Sequence, residues 1–129
     1  MIEIRWHEET NEIDLGGTSQ DLQHVRQSIL GLIQANETQI SISVAVDFNP
    51  APYSECLGSL IIRKGKGATK VAIVANPLEI EGDSEKLEAF AGWFDFQADV
   101  SPYHCHFEYY AGNIWIDPDS LPLVISVRS

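Results

Sequence analysis

Most of this chain alternates apolar and polar residues with a period of two, and only two stretches leave that rhythm for a helical one. That limits the fold to strands arranged around two helices. The first helical stretch sets Leu22, Val25, Ile29, Leu32 and Ile33 on one stripe. Thr18 stands before it as a cap. Asp21, three residues on, makes a capping-box-like start and suits the positive end of the helix dipole. Asn36 ends it. The second helix starts at Gly82-Asp83-Ser84-Glu85 and buries Leu87, Phe90, Ala91 and Phe94, with Trp93 and Phe96 widening the stripe. Gly31 and Gly92 fall inside these helices, where glycine costs about 1 kcal/mol relative to alanine. Close packing of helix on sheet is the expected compensation.

The remaining segments read as strands. Ile2, Ile4 and Trp6 alternate with Glu3, Arg5 and His7, and Glu12 to Leu15 return as a second strand before Gly16-Gly17. Thr38 to Asp47 puts Ile40, Ile42, Val44 and Val46 on one face. Asn49-Pro50-Ala51-Pro52 is a loop, since two prolines remove donors. Cys56 to Ile62 and Val71 to Ala75 are expected to pair as a hairpin through a glycine-rich tip, with Leu78 to Glu81 extending its second arm. Tyr103 to Tyr110, Ile114 to Ile116 and Leu121 to Val127 complete the set, and Pro122 suits either an edge strand or the first residues of a strand. The fold class is α+β: a single domain with an antiparallel or mixed sheet and two helices on one face. Its order is roughly ββαβ-ββαββ, and the two halves are compatible with a degenerate ββαβ repeat.

At 129 residues the chain suits one domain. No apolar run reaches the roughly 18 residues of a membrane span, and the opening Met1-Ile2-Glu3-Ile4-Arg5-Trp6-His7 lacks a basic n-region and an apolar h-region. A cytoplasmic location is expected. The two cysteines, Cys56 and Cys105, have neither redox nor zinc-ribbon spacing and read as free thiols. A net charge of −11 argues against nucleic acid or an anionic membrane as partner and would steer a basic protein toward the chain.

Chemistry concentrates at Tyr103-His104-Cys105-His106-Phe107-Glu108-Tyr109-Tyr110. As a strand, it sets His104, His106, Glu108 and Tyr110 on one face and Tyr103, Cys105, Phe107 and Tyr109 on the other. Imidazole and carboxylate suit zinc, iron or manganese, so His104, His106 and Glu108 are the candidate metal ligands. His7 and His24 are the remaining histidines. The competing reading is an ordinary polar sheet face with no cofactor. Cys105 points away from both neighbouring histidines, which disfavours a Cys–His nucleophile. No Gly-x-Ser-x-Gly elbow is present, and no catalytic set is complete. Two acidic clusters stand out: Glu8, Glu9, Glu12 and Asp14, and Glu79, Glu81, Asp83, Glu85 and Glu88. Part of the second suits a helix start, and Glu79, Glu81 and Glu85 join His104, His106, Glu108 and Tyr110 as candidate partner-binding residues. Arg63, Lys64, Lys66 and Lys70 surround Gly65-Lys66-Gly67-Ala68-Thr69, which fails the Walker pattern and reads as a solubilising hairpin tip.

The segment from Tyr103 to Tyr110, followed by Asp117-Pro118-Asp119-Ser120-Leu121-Pro122-Leu123-Val124-Ile125, resembles a bacterial family known as immunity protein 32. The shared features are His-x-His-apolar-acid on a strand, a glycine turn at Gly112, and a serine before Pro-Leu-Val-Ile. The resemblance implies a binding protein that neutralises a cognate toxin and no enzymatic activity. An acidic inhibitor suits a basic toxin. The alternatives are a metal-binding protein or metalloenzyme using His104, His106 and Glu108, and a structural domain that dimerises through an edge strand such as Leu121 to Val127.

Overall fold

In the computed structural model, which describes residues 1–96 and 103–128, the alternating segments form nine strands. They are β1 (Glu3–His7), β2 (Glu12–Gly17), β3 (Gln39–Ile42), β4 (Glu55–Cys56), β5 (Leu60–Lys64), β6 (Lys70–Ile73), β7 (Leu78–Gly82), β8 (Tyr103–Phe107) and β9 (Leu123–Val127). Helix α1 (Ser19–Gln34) follows β2, and α2 (Ser84–Ala91), extended by a 3-10 turn at Gly92–Phe94, follows β7. The α+β class and the two helices are as the sequence implies. The strands, however, make two mixed sheets and not one, in the orders β4-β1-β2-β9-β8 and β3-β5-β7-β6. The helices pack on each other, and α1 touches strands of both sheets.

The helix ends follow their caps. Thr18 Oγ1 accepts from the Asp21 amide at 3.1 Å while the Asp21 carboxylate accepts from the Thr18 amide at 3.0 Å, closing a capping box. Burial alone would raise the Asp21 pKa. Hydrogen bonds from the Met1 ammonium and from Thr18 outweigh it and hold the carboxyl below its ordinary value. The last turn of α1 carries no basic residue; Lys64 Nζ, from β5, donates to the Ala35 carbonyl at 2.6 Å and supplies positive charge there. Asp83 caps α2 by accepting from the Lys86 amide at 2.8 Å. Close packing does not account for the two helical glycines. A Cβ at Gly31 or Gly92 would meet nothing within 4 Å, and Gly92 sits at the α2 C-cap.

The expected hairpin between the Cys56–Ile62 and Val71–Ala75 segments does not form. β7 lies between β5 and β6, parallel to β5 and antiparallel to β6. Charge favours this order: Glu81 of β7 stands opposite Arg63 of β5 and Lys70 of β6, so an acidic strand lies between two basic ones. The true hairpin is β6–β7, turning at Val74 to Pro77 with Ala75 at a φ of 62°. The Gly65–Gly67 segment is no free tip, because Gly65 N donates to Gly82 O at 2.9 Å and Asp83 N to Gly67 O at 3.0 Å.

Three strand boundaries also move. The strand from Thr38 stops at Ile42, and Val46 is 58% exposed. Ile114 to Ile116 contributes only a single bridge, Ile116 to Thr69. The Leu121–Val127 segment is not an edge: β9 lies between β2 and β8. β2 instead runs through Gly16-Gly17, parallel to β9.

The chain does repeat in topology, but as two ββαββ units: the Cys56–Ile62 segment, expected to open the second half, supplies β5 and closes the first. β1-β2-α1-β3-β5 matches β6-β7-α2-β8-β9, with the two-residue β4 as the extra element. Each sheet joins the leading hairpin of one half to the trailing pair of the other: β1-β2 with β9-β8, and β6-β7 with β5-β3. The junctions are parallel in both cases, β2 with β9 and β7 with β5. Even the isolated bridges correspond, Ile2 to Val44 and Thr69 to Ile116. Gly17-Thr18-Ser19 and Gly82-Asp83-Ser84 open the two helices alike. One core spans both sheets and both helices, with Leu15, Leu22, Ile29, Ile62, Ile80, Leu87, Phe94 and Ile125 fully buried.

Candidate functional site

β8 is the edge strand of the five-stranded sheet, paired to β9 in the register Cys105 opposite Ile125. Its alternation sends Phe107 into the core against Phe90 and Trp93, with ring centroids at 4.9 and 5.6 Å. Cys105 is half-buried on the same side, its Sγ 3.9 Å from the Trp93 carbonyl, and burial pushes its thiol pKa up. That is the opposite of nucleophile activation. His104 and His106 point to the exposed face, ring against ring at 5.2 Å. The strand ends at Phe107, so Glu108 and Tyr110 lie beyond it and do not extend the histidine row as sheet neighbours.

Glu108 and Tyr110 instead turn toward α2. With His106, Lys86, Trp93 and Trp115 they line a groove of about 480 Å³ whose floor is Phe90 and Phe107. Lys86 Nζ lies 5.0 Å from the Trp115 ring centroid and is also paired with Glu85 at 3.3 Å. Asn113 Oδ1 accepts from the Trp115 amide at 2.7 Å, and Gly112 takes a φ of 90°, so the turn that presents Trp115 is itself fixed. Five of the large apolar side chains left exposed crowd into this stretch: Tyr103, Tyr109, Tyr110 (67%), Ile114 (69%) and Trp115 (42%). Exposed aromatics beside polar side chains are a common feature of interaction surfaces.

The structure thus brings together His106, Glu108 and Tyr110, with His104 beside them on the sheet face; Glu85 lies outside the lining and reaches it only through its pair with Lys86. It separates Glu79 and Glu81 from them. Both lie on the other sheet and pair with Arg63, and the Glu79 side chain is only 14% exposed. Lys86, Trp93 and Trp115 complete the groove although sequence reasoning singled out none of them as site residues; the only signal for Trp115 is an aromatic just after an Ala-Gly-Asn turn.

Among the described residues, no group of three or more His, Cys, Asp or Glu is placed to hold a metal. His7, on β1, stacks on Tyr53 at 4.7 Å, and two strands, β2 and β9, lie between it and β8. His24 lines a separate groove of about 740 Å³ between α1 and β3, whose other walls include Gln20, Ser28, Glu37, Ser41 and Ser43.

A polar network crosses the outer face of the same sheet. Ser126, opposite His104, donates to Asp14 at 2.8 Å, and Arg128 reaches Asp14 at 2.6 Å and Glu3 at 3.0 Å. Arg128 lies directly over Gly16, where any Cβ would collide with the guanidinium. Asp14 is 8% exposed, so this pairing is what makes its burial tolerable.

A family model described as immunity protein 32 matches residues 77–127, from just before β7 to the end of β9. No curated protein and no solved structure matches the chain. Among the described residues no helix is long and apolar enough to cross a membrane.

Proposed function

We propose that this chain is an immunity-type inhibitor, a binding protein without catalytic activity that neutralises a cognate protein toxin in the cytoplasm. The observation that carries this reading is the coincidence of two things. The exposed aromatic cluster around Tyr110 and Trp115 falls inside the stretch that resembles the immunity family. Tyrosine and tryptophan give large, rigid contact area and dominate the energetics of protein interfaces. Glu108 and Glu85 set acidic groups beside them, and the net charge of −11 favours encounter with a basic toxin.

Co-expression with the toxin encoded at the same locus tests this. Growth of the host should be restored by the chain and lost again when both Tyr110 and Trp115 are changed to alanine. Each single substitution should weaken toxin binding by about 30-fold or more, the loss expected for hot-spot aromatics. Full protection by the double variant, with its fold intact, would move the interface elsewhere. No protection by the wild-type chain would end the inhibitor reading.

A further inference from the structure

The outer edge of β8 meets no other strand among the described residues. Proteins guard such edges with charge, proline or brevity, because unpaired backbone groups recruit another strand. Two of the other three edges show these devices: β4 has two residues, one of them Glu55, and β6 opens with Lys70. β3 is uncharged but leaves no large apolar side chain exposed. β8 has five residues, no charged side chain and no proline, and its Tyr103 is 51% exposed.

Its sequence also reads the same in both directions: aromatic, imidazole, thiol, imidazole, aromatic. We propose that β8 pairs antiparallel with β8 of a second copy of this chain, about a twofold axis through Cys105, so that two five-stranded sheets become one. A twofold interface must be self-complementary, and this register provides that. Tyr103 meets the aromatic Phe107 position of the other copy, His104 meets the His106 position, and Cys105 meets itself. No pair of formally charged residues is set face to face at neutral pH. Beside the edge runs a cleft of about 520 Å³ lined by Trp93, Phe96, Tyr103 and Cys105, where Phe96 already meets Tyr103 edge-on at 5.7 Å. The second strand closes that cleft and covers Tyr103. One strand pair with its flanking aromatics is a small interface, so the dimer is reversible and concentration-dependent.

This inference is independent of the toxin reading, and its test needs no toxin. Sedimentation equilibrium of the wild-type chain should show the mass doubling as concentration rises. Directly opposed strand residues place their Cα atoms about 4.5–5.5 Å apart, within disulfide reach. Mild oxidation with diamide should therefore link the two copies through Cys105. Two thiols lose two protons and two electrons, and the diazene is reduced to the hydrazine. The covalent dimer should persist in Cys56→Ser and vanish in Cys105→Ser, while Cys105→Ser still doubles its mass in sedimentation. His104→Lys with His106→Lys, which guards the edge without touching the core face, should leave a folded monomer. A wild-type chain that stays monomeric at every concentration overturns the proposal, as does a crosslink that depends on Cys56 or a dimer that survives the double lysine variant.

Discussion

Two grooves occupy equivalent places in the repeated topology, each between a helix and the edge strand that follows it, yet their linings differ in aromatic content. The groove between α1 and β3 is lined by aliphatic side chains, among them Val25, Leu32 and Ile40, mixed with Gln20, His24, Ser28 and Glu37, and by no Phe, Tyr or Trp. The groove between α2 and β8 is lined by Phe90, Trp93, Tyr110 and Trp115. The backbone frame that makes a groove is therefore not what makes a binding surface. Aligning the helices at their caps, Thr18 with Asp83, sets Val25 against Phe90 and Ile29 against Phe94. The larger aromatics of the second half fill its core and leave further aromatics on its rim. The first groove sets short aliphatic and polar side chains side by side; the second adds large aromatic area, which gains more by being covered.

The sharpest way to break this comparison is in the core beneath the grooves. Phe90 is 2% exposed and holds Phe94 and Phe107 edge-on, so Phe90→Ala should cost about 3–5 kcal/mol in urea unfolding. Val25→Ala, at the equivalent position, removes far fewer atoms and should cost clearly less. Equal losses would mean that the two halves share one undifferentiated core. Next comes Arg128→Met. It leaves Asp14 without its cation, and since the pair is partly exposed the cost should be about 2–3 kcal/mol, below that of a fully buried pair. A change under about 0.5 kcal/mol would show that Ser126 alone satisfies Asp14.

A smaller effect separates the two helix starts. Only α1 has an acid at the third position of its cap, so Thr18→Ala should cost about 1 kcal/mol. Asp21 has a native pKa below its unfolded value, so its contribution is complete above the unfolded pKa and is lost as pH falls through the native one. The stability gap between wild type and Asp21→Asn should therefore shrink on acidification; a gap that widens would contradict the assigned hydrogen bonds. The smallest effect runs the other way. Gly31 is exposed in the last turn of α1 with free space where a Cβ would go, and Gly31→Ala should stabilise by about 0.5–1 kcal/mol.

Faces were legible in the sequence and neighbours were not. The stripe from Leu22 to Leu32 and the cap pair Thr18 and Asp21 placed α1 almost to the residue, because helical bonds are local. The alternation of Ile2 and Ile4 likewise marked a core face. Period two says which side of a strand is buried but nothing about which strand lies beside it, so β5 and β6 were paired with each other when β7 separates them. The acids Glu79 and Glu81, read as part of a partner-binding set, were the clue to that pairing. Of the site, the row of His104 and His106 was readable from alternation. The end of β8 at Phe107 was not, and neither was the return of Tyr110 and Trp115 onto α2. The Asp14–Arg128 pair, 114 residues apart, had no local signature at all.

Because each sheet borrows its last two strands from the opposite half, neither half is a separable unit. A fragment ending near Lys64 would hold β1-β2 and β3-β5 as two ribbons, each missing the parallel neighbour that completes it. Such fragments should behave as complementing pieces: unfolded or self-associating alone, and structured when the two are mixed. The stretch that resembles the immunity family is subject to the same rule. β7 belongs to one sheet while β8 and β9 belong to the other, so a chain cut down to that stretch would keep the residues proposed to bind and lose the frame that aims them.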